Sequence, residues 1–143
     1  MMKMNSALRA ILLVASLSAA GLAVARSSNM VELGRQSITA TDKPLTPEAV
    51  RKAIIAGGEM HKWKPVGDQP GLLTLEADSG QHQVIVDVSY DAQGWQIAYK
   101  SSSNMNYEQT DKKTSIHPKY NKWVEELNAD IRSAAASAQA SAH

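Results

Sequence analysis

The sequence predicts an α+β domain: an antiparallel meander sheet of three to five strands with two helices packed on one face, a two-layer sandwich. Three observations point there. Two stretches, one on each side of the middle of the chain, repeat their apolar residues at three and four positions, as helices do. Three consecutive segments between them alternate apolar and polar residues, as strands with one buried face do. The connections between those segments are short and rich in Gly, Asp and Ser, which suits hairpins. Two amphipathic helices and a sheet with one apolar face are satisfied together when both helices cover that face.

The first helix is expected from Thr46. Its hydroxyl can accept a backbone N–H as N-cap, Pro47 suits the first helical position, and Glu48 complements the positive end of the helix dipole. Val50, Ala53 and Ile54 share a face, and Gly57-Gly58 are expected to end the helix by supplying a positive φ. The segment before it, residues 26–45, is polar and mixed and reads as a flexible lead-in able to supply one edge strand.

After the segment "HKWKPVGDQPG", a short extended piece and a turn, Leu73, Leu75 and Ala77 lie on one face of a strand. His82, Val84, Val86, Val88 and Tyr90 share a face of the next, and Trp95, Ile97 and Tyr99 of a third. A two-residue loop at Ser79-Gly80 pairs Leu75 with Val84 and Leu73 with Val86. The "DAQG" connection pairs Tyr90 with Trp95, Val88 with Ile97 and Val86 with Tyr99. Both turns bring apolar faces together.

The stretch "KSSSNMNYEQTDKKTS" reads as a long polar loop. A second helix is expected to open at Pro118 with His117 as its cap, and Tyr120, Trp123, Val124, Leu127 and Ile131 form its apolar stripe. The single domain is therefore placed at residues 46–132. The Ala/Ser-rich residues 133–143 have little apolar surface to hold them and are expected to form a mobile tail.

The first residues have the three-part layout of a secretory signal peptide. Lys3 and Arg9 precede an apolar stretch from Ala10 to Ala20, and small residues at Ala23 and Ala25 set a cleavage point after Ala25. The apolar stretch is short and broken by Ser16, Ser18 and Gly21, which disfavours a retained membrane span. Export to a Gram-negative periplasm is expected, with full secretion as the alternative. Loss of Lys3 and Arg9 with residues 1–25 leaves 13 basic against 14 acidic residues, a formal net charge of −1. With no basic run, nucleic acid is not an expected partner. The chain has no cysteine, so disulfides and lipid attachment through cysteine are excluded.

Four histidines raise the question of a metal. His61, His82, His117 and His143 are spread along the chain without the spacing that places two imidazoles on one ion, so neither a metal nor another cofactor is expected. His117 with Tyr107 or Tyr120 and an acid such as Glu108 or Asp111 is the one arrangement resembling a general base, the basis of an alternative reading as a small hydrolase. No nucleophile elbow accompanies it, and Ser101, Ser102 and Ser103 read as a strand end. The residues favour a non-enzymatic module. Its candidate recognition surface combines Asn104, Asn106, Tyr107, His117, Tyr120 and Asn121, amide and aromatic side chains suited to a polar ligand, a peptide or another envelope component.

From Leu45 onward the chain carries "LTPEAVRKAI", the alternating "HQVIVDVSY", the pattern Tyr99, Ser102, Asn104, Tyr107, and Ile116-His117-Pro118 followed by Tyr120, Asn121 and Trp123. In these it resembles a family of small exported bacterial proteins of unknown biochemical function, described as periplasmic proteins or lipoproteins and including a seroreactive antigen. The resemblance implies a small α+β domain in the cell envelope and brings no catalytic residue. Lipid tethering does not carry over, because this chain lacks the cysteine.

Overall fold

The computed structural model describes residues 27–39 and 43–141. The signal peptide expected over residues 1–25 lies outside the described residues. The fold is α+β, with two helices and two antiparallel sheets. In chain order the elements are β1 (Ser28–Asn29), β2 (Arg35–Ser37), α1 (Pro47–Glu59), β3 (Lys64–Gln69), β4 (Leu72–Ser79), β5 (His82–Asp91), β6 (Gly94–Ser103), β7 (Glu108–Gln109), β8 (Thr114–Ile116) and α2 (Pro118–Ser141). The larger sheet runs β2-β6-β5-β4-β3, a meander with β2 added at one edge, and the smaller runs β1-β8-β7. Among the described residues no helix is long and apolar enough to cross a membrane.

The alternation places Leu73, Leu75, Ala77, Val84, Val86, Val88, Trp95 and Ile97 in one core with Val50, Ala53 and Ile54 of α1 and Tyr120, Val124, Leu127 and Ile131 of α2. The β5–β6 hairpin has the expected pairs Tyr90 with Trp95, Val88 with Ile97 and Val86 with Tyr99. In the β4–β5 hairpin the loop falls one residue later than expected. Ser79 pairs with His82, so Leu75 meets Val86 and Leu73 meets Val88. Gly80 has φ +62 and takes the first loop position, where a tight hairpin turn favours glycine. Each partner moves by two residues, so the same faces stay buried.

Thr46 caps α1 as expected, accepting the N–H of Ala49. Gly57 and Gly58 do not end the helix. It continues to Glu59, and the positive φ comes later, at Lys62. Gly57 serves the crossing with α2: a Cβ there would lie 2.7 Å from Ile131 N and 2.8 Å from Ile131 Cα. Only hydrogen fits between the two backbones.

The expected long loop is shorter than its composition suggests. β6 extends to Ser103, β7 pairs with β8, and β8 pairs with β1. His117 caps α2, its Nδ1 accepting the Lys119 N–H at 3.1 Å. The segment expected to fray beyond Arg132 continues α2 to Ser141. Ala135 is buried against the core, and Gln139 donates to Thr39 O. Small side chains suffice there because they allow close approach.

Candidate functional site

The site grows from the outer edge of β6. Ile38 donates to Gln93 O at 2.8 Å, and β2 pairs Gln36 with Trp95. In an antiparallel ladder every second residue faces the same neighbour. Gln93 and Trp95 thus point their backbone groups at β2, and Ile97 and Tyr99 face the same way. β2 stops short of Tyr99. Its last pair in that direction is Arg35 with Gln96, which sets the Ile97 N–H toward Gly34 O, and Gly34 then turns the chain aside with φ +67.

Asn121 holds the departing segment away. Its Oδ1 accepts the Val31 N–H at 2.9 Å and its Nδ2 donates to Asn29 O at 2.9 Å and Ser28 Oγ at 3.3 Å. Between this segment and β6 lies a groove of about 500 Å³, walled by Leu33, Gly34, Ile97, Tyr99, Tyr107 and Tyr120 and ending near Gln109. Tyr107 stacks on Tyr99 with ring centres 4.4 Å apart, and Tyr120 meets Tyr99 edge-on at 5.8 Å. Tyr99 shares a hydrogen bond with Ser102 at 2.8 Å. Burial, and then the neighbouring Tyr99, Glu32 and Tyr107, push the Tyr120 phenol above its ordinary range. Glu32 is the carboxylate among the groove's lining residues, which carry no lysine or arginine.

The six residues singled out from sequence divide between two places. Tyr107 and Tyr120 line the groove and Asn121 builds its wall. Asn104 and Asn106 lie in the loop after β6 with φ of +58 and +54, the left-handed conformation asparagine tolerates. Asn104 donates to Gln81 O, and its carbonyl contacts His82 Nδ1 at 2.8 Å. His82 in turn lies 5.0 Å from His117, ring centre to ring centre. The loop is anchored by buried Met105, whose carbonyl accepts the His117 N–H. These contacts give Asn104 and His117 structural work at the end of the sheet.

Sequence reasoning missed the edge around Tyr99, together with Glu32 and Gln109. Only Gly34 carried a signal, a glycine just before a short polar strand.

A larger hollow of about 700 Å³ lies beside α1. Its charges are already paired: Arg51 contacts Glu48 and Asp68, an arrangement that keeps the guanidinium charged and holds the Asp68 carboxyl below its ordinary range. Among the described residues no group of three or more His, Cys, Asp or Glu is arranged to hold a metal.

The class that fold and groove define is a small α+β domain with an open sheet edge beside an aromatic groove. Compared with known proteins, the chain has no significant match to a protein-family model, a curated protein or a solved structure.

Proposed function

We propose that the protein is an exported, non-enzymatic binding module of the cell envelope that takes an extended peptide as an added strand on the outer edge of β6. The observation that carries this reading is the stretch of β6 beyond its last pair with β2, around Tyr99, inside a tyrosine-lined groove. Strand addition satisfies the backbone groups there, and the tyrosines offer broad contact at small entropic cost.

The two edges of the sheet differ in a way that favours the reading. β3 carries Lys64, Pro65 and a bulge before Gly67, devices that discourage pairing. The β6 edge has no proline, and its bulge, at Lys100, falls after Tyr99. Glu32 on the wall favours a peptide with a lysine or arginine beside the strand. The core residues of β4, β5 and β6 share one face, and the reading has both helices covering it in two layers, which leaves the edge for recognition. The leader and the family resemblance support the envelope location. The hydrolase alternative built on His117 gains little, since its Nδ1 already caps α2.

The test is selection of binders from a random extended-peptide library, followed by amide chemical-shift mapping with the selected peptide. Shifts centred on Gln96–Tyr99 and Tyr107 are expected. Tyr107 is 40% exposed, so Tyr107→Ala should keep the melting temperature while weakening binding by about tenfold, the loss of one aromatic contact. A stable Tyr107→Ala variant with full affinity, or shifts confined to another surface, would overturn the reading.

A further inference from the structure

We infer that a second pocket, between the loop after α1, the end of β4 and the first turns of α2, binds an acidic saccharide. The pocket encloses about 490 Å³ and shares no lining residue with the tyrosine groove, so the inference does not rest on the peptide reading. Its aromatic wall is Trp123. The other buried members of the α2 stripe are almost fully covered, whereas Trp123 is only partly buried and lines the opening.

The donors at this pocket are uncommitted. Trp95 gives its indole N–H to Asn128, but Trp123 has no hydrogen-bond partner among the described residues. Lys62 and Lys122 line the same pocket, and neither has an ion-pair partner among the described residues. Two acids also line the pocket, Glu126 and Asp78, and of these Glu126 is taken up by His61. His61 reaches Glu126 with Nε2 at 2.8 Å and Asp130 with Nδ1 at 2.6 Å, placing both carboxylates on the imidazole. Lys62 also keeps a left-handed φ of +66, a conformation that costs energy for a lysine.

An indole without a hydrogen-bond partner and two ammonium groups outside any ion pair fit a ring with an apolar face and a carboxylate. Asp78 and Ser79 on the rim add acceptors. Those acceptors suit hydroxyl donors around a sugar ring, whereas a plain aromatic acid would leave them unmatched. A carboxylated sugar engages every uncommitted group: ring on Trp123, carboxylate on Lys62 and Lys122, hydroxyls on Asp78 and Ser79.

The experiment titrates the purified protein with a galacturonic acid tetramer and, separately, with the neutral cellotetraose, following indole and amide resonances. The acidic tetramer should shift the Trp123 indole signal and leave the β6 edge amides still. The exposed double variant Lys62→Gln, Lys122→Gln should fold normally and bind about tenfold more weakly, as expected for loss of charge-assisted contacts. Absence of any Trp123 shift, equal affinity for the neutral tetramer, or undiminished binding by the double variant would each overturn the inference.

Discussion

Gly57→Ala tests the helix crossing on which the core depends. The added Cβ would sit 2.7 Å from Ile131 N, 2.8 Å from Ile131 Cα and 2.9 Å from Asp130 C. All three are backbone atoms and cannot rotate away. Restoring ordinary contact near 3.4 Å requires α2 to retreat by about 0.7 Å, which loosens Ile131 and Leu127 against Ile54. Overpacking of this kind costs about 1–3 kcal/mol. Alanine's better helical propensity offsets about 1 kcal/mol of it. The rigid backbone places the clash in the upper part of that range, for a net loss of about 1–2 kcal/mol. Gly58→Ala is the internal control, because its Cβ meets Trp63 Cβ at 3.3 Å and Leu75 Cδ1 at 3.6 Å, a tight but adjustable fit. Its stability should stay within about 0.5 kcal/mol of the parent, clash and propensity nearly cancelling. Urea unfolding of the three proteins decides, with unchanged slopes indicating an unchanged unfolding reaction. A Gly57→Ala protein as stable as its parent, or a Gly58→Ala protein that is the weaker of the two, would refute the close crossing.

Other expectations follow from single contacts. Asn121→Ala removes the bonds that hold Val31 and Asn29, and should cost about 1–3 kcal/mol and speed hydrogen exchange at Val31; unchanged Val31 exchange would contradict the clamp. The Tyr120 phenol has a raised value in the folded state, so its contribution is intact below the unfolded value of about 10 and lost as pH rises beyond it. Unfolding measured across that alkaline range should show a weaker pH dependence in Tyr120→Phe. The Asp91 carboxyl is held low by the Gln93 backbone N–H and the Arg35 guanidinium, so its stabilisation exists above the unfolded value of about 3.9 and fades as pH falls below it. Asp91→Asn should therefore flatten the acid side of the stability profile, and an unaltered acid limb would show that the turn contacts carry no linkage.

Much of the fold was legible because its signals are local. Alternation in β4, β5 and β6 follows from a sheet buried on one face, and the Thr46-Pro47-Glu48 start of α1 is a cap read within one turn. The β4–β5 loop was misplaced by one residue because Ser79-Gly80 and Gly80-Gln81 keep the same apolar faces together, and only the positive φ of Gly80 at the first loop position decides between them. Gly57 looked like a helix end because a glycine carries no sign of a helix packed across it, and Ile131 is far away in sequence. The Ala/Ser segment looked unable to pack, yet close approach lets Ala135 be buried. At the candidate site, Tyr107 was readable as an aromatic in a polar stretch and Tyr120 as a member of the α2 apolar stripe. The open edge was not, since it arises where β2 leaves β6, a consequence of Gly34 and of the distant Asn121 together.

Amide hydrogen exchange along β6 in the free protein tests the central claim most directly. If the outer edge is open beyond the last pair with β2, Tyr99 exchanges quickly while Ala98, bonded toward β5, and Ile97, facing Gly34, are slower, a contrast that ends when a bound peptide protects Tyr99. Slow exchange at Tyr99 in the absence of any ligand would mean that the edge is already closed, and would contradict the account.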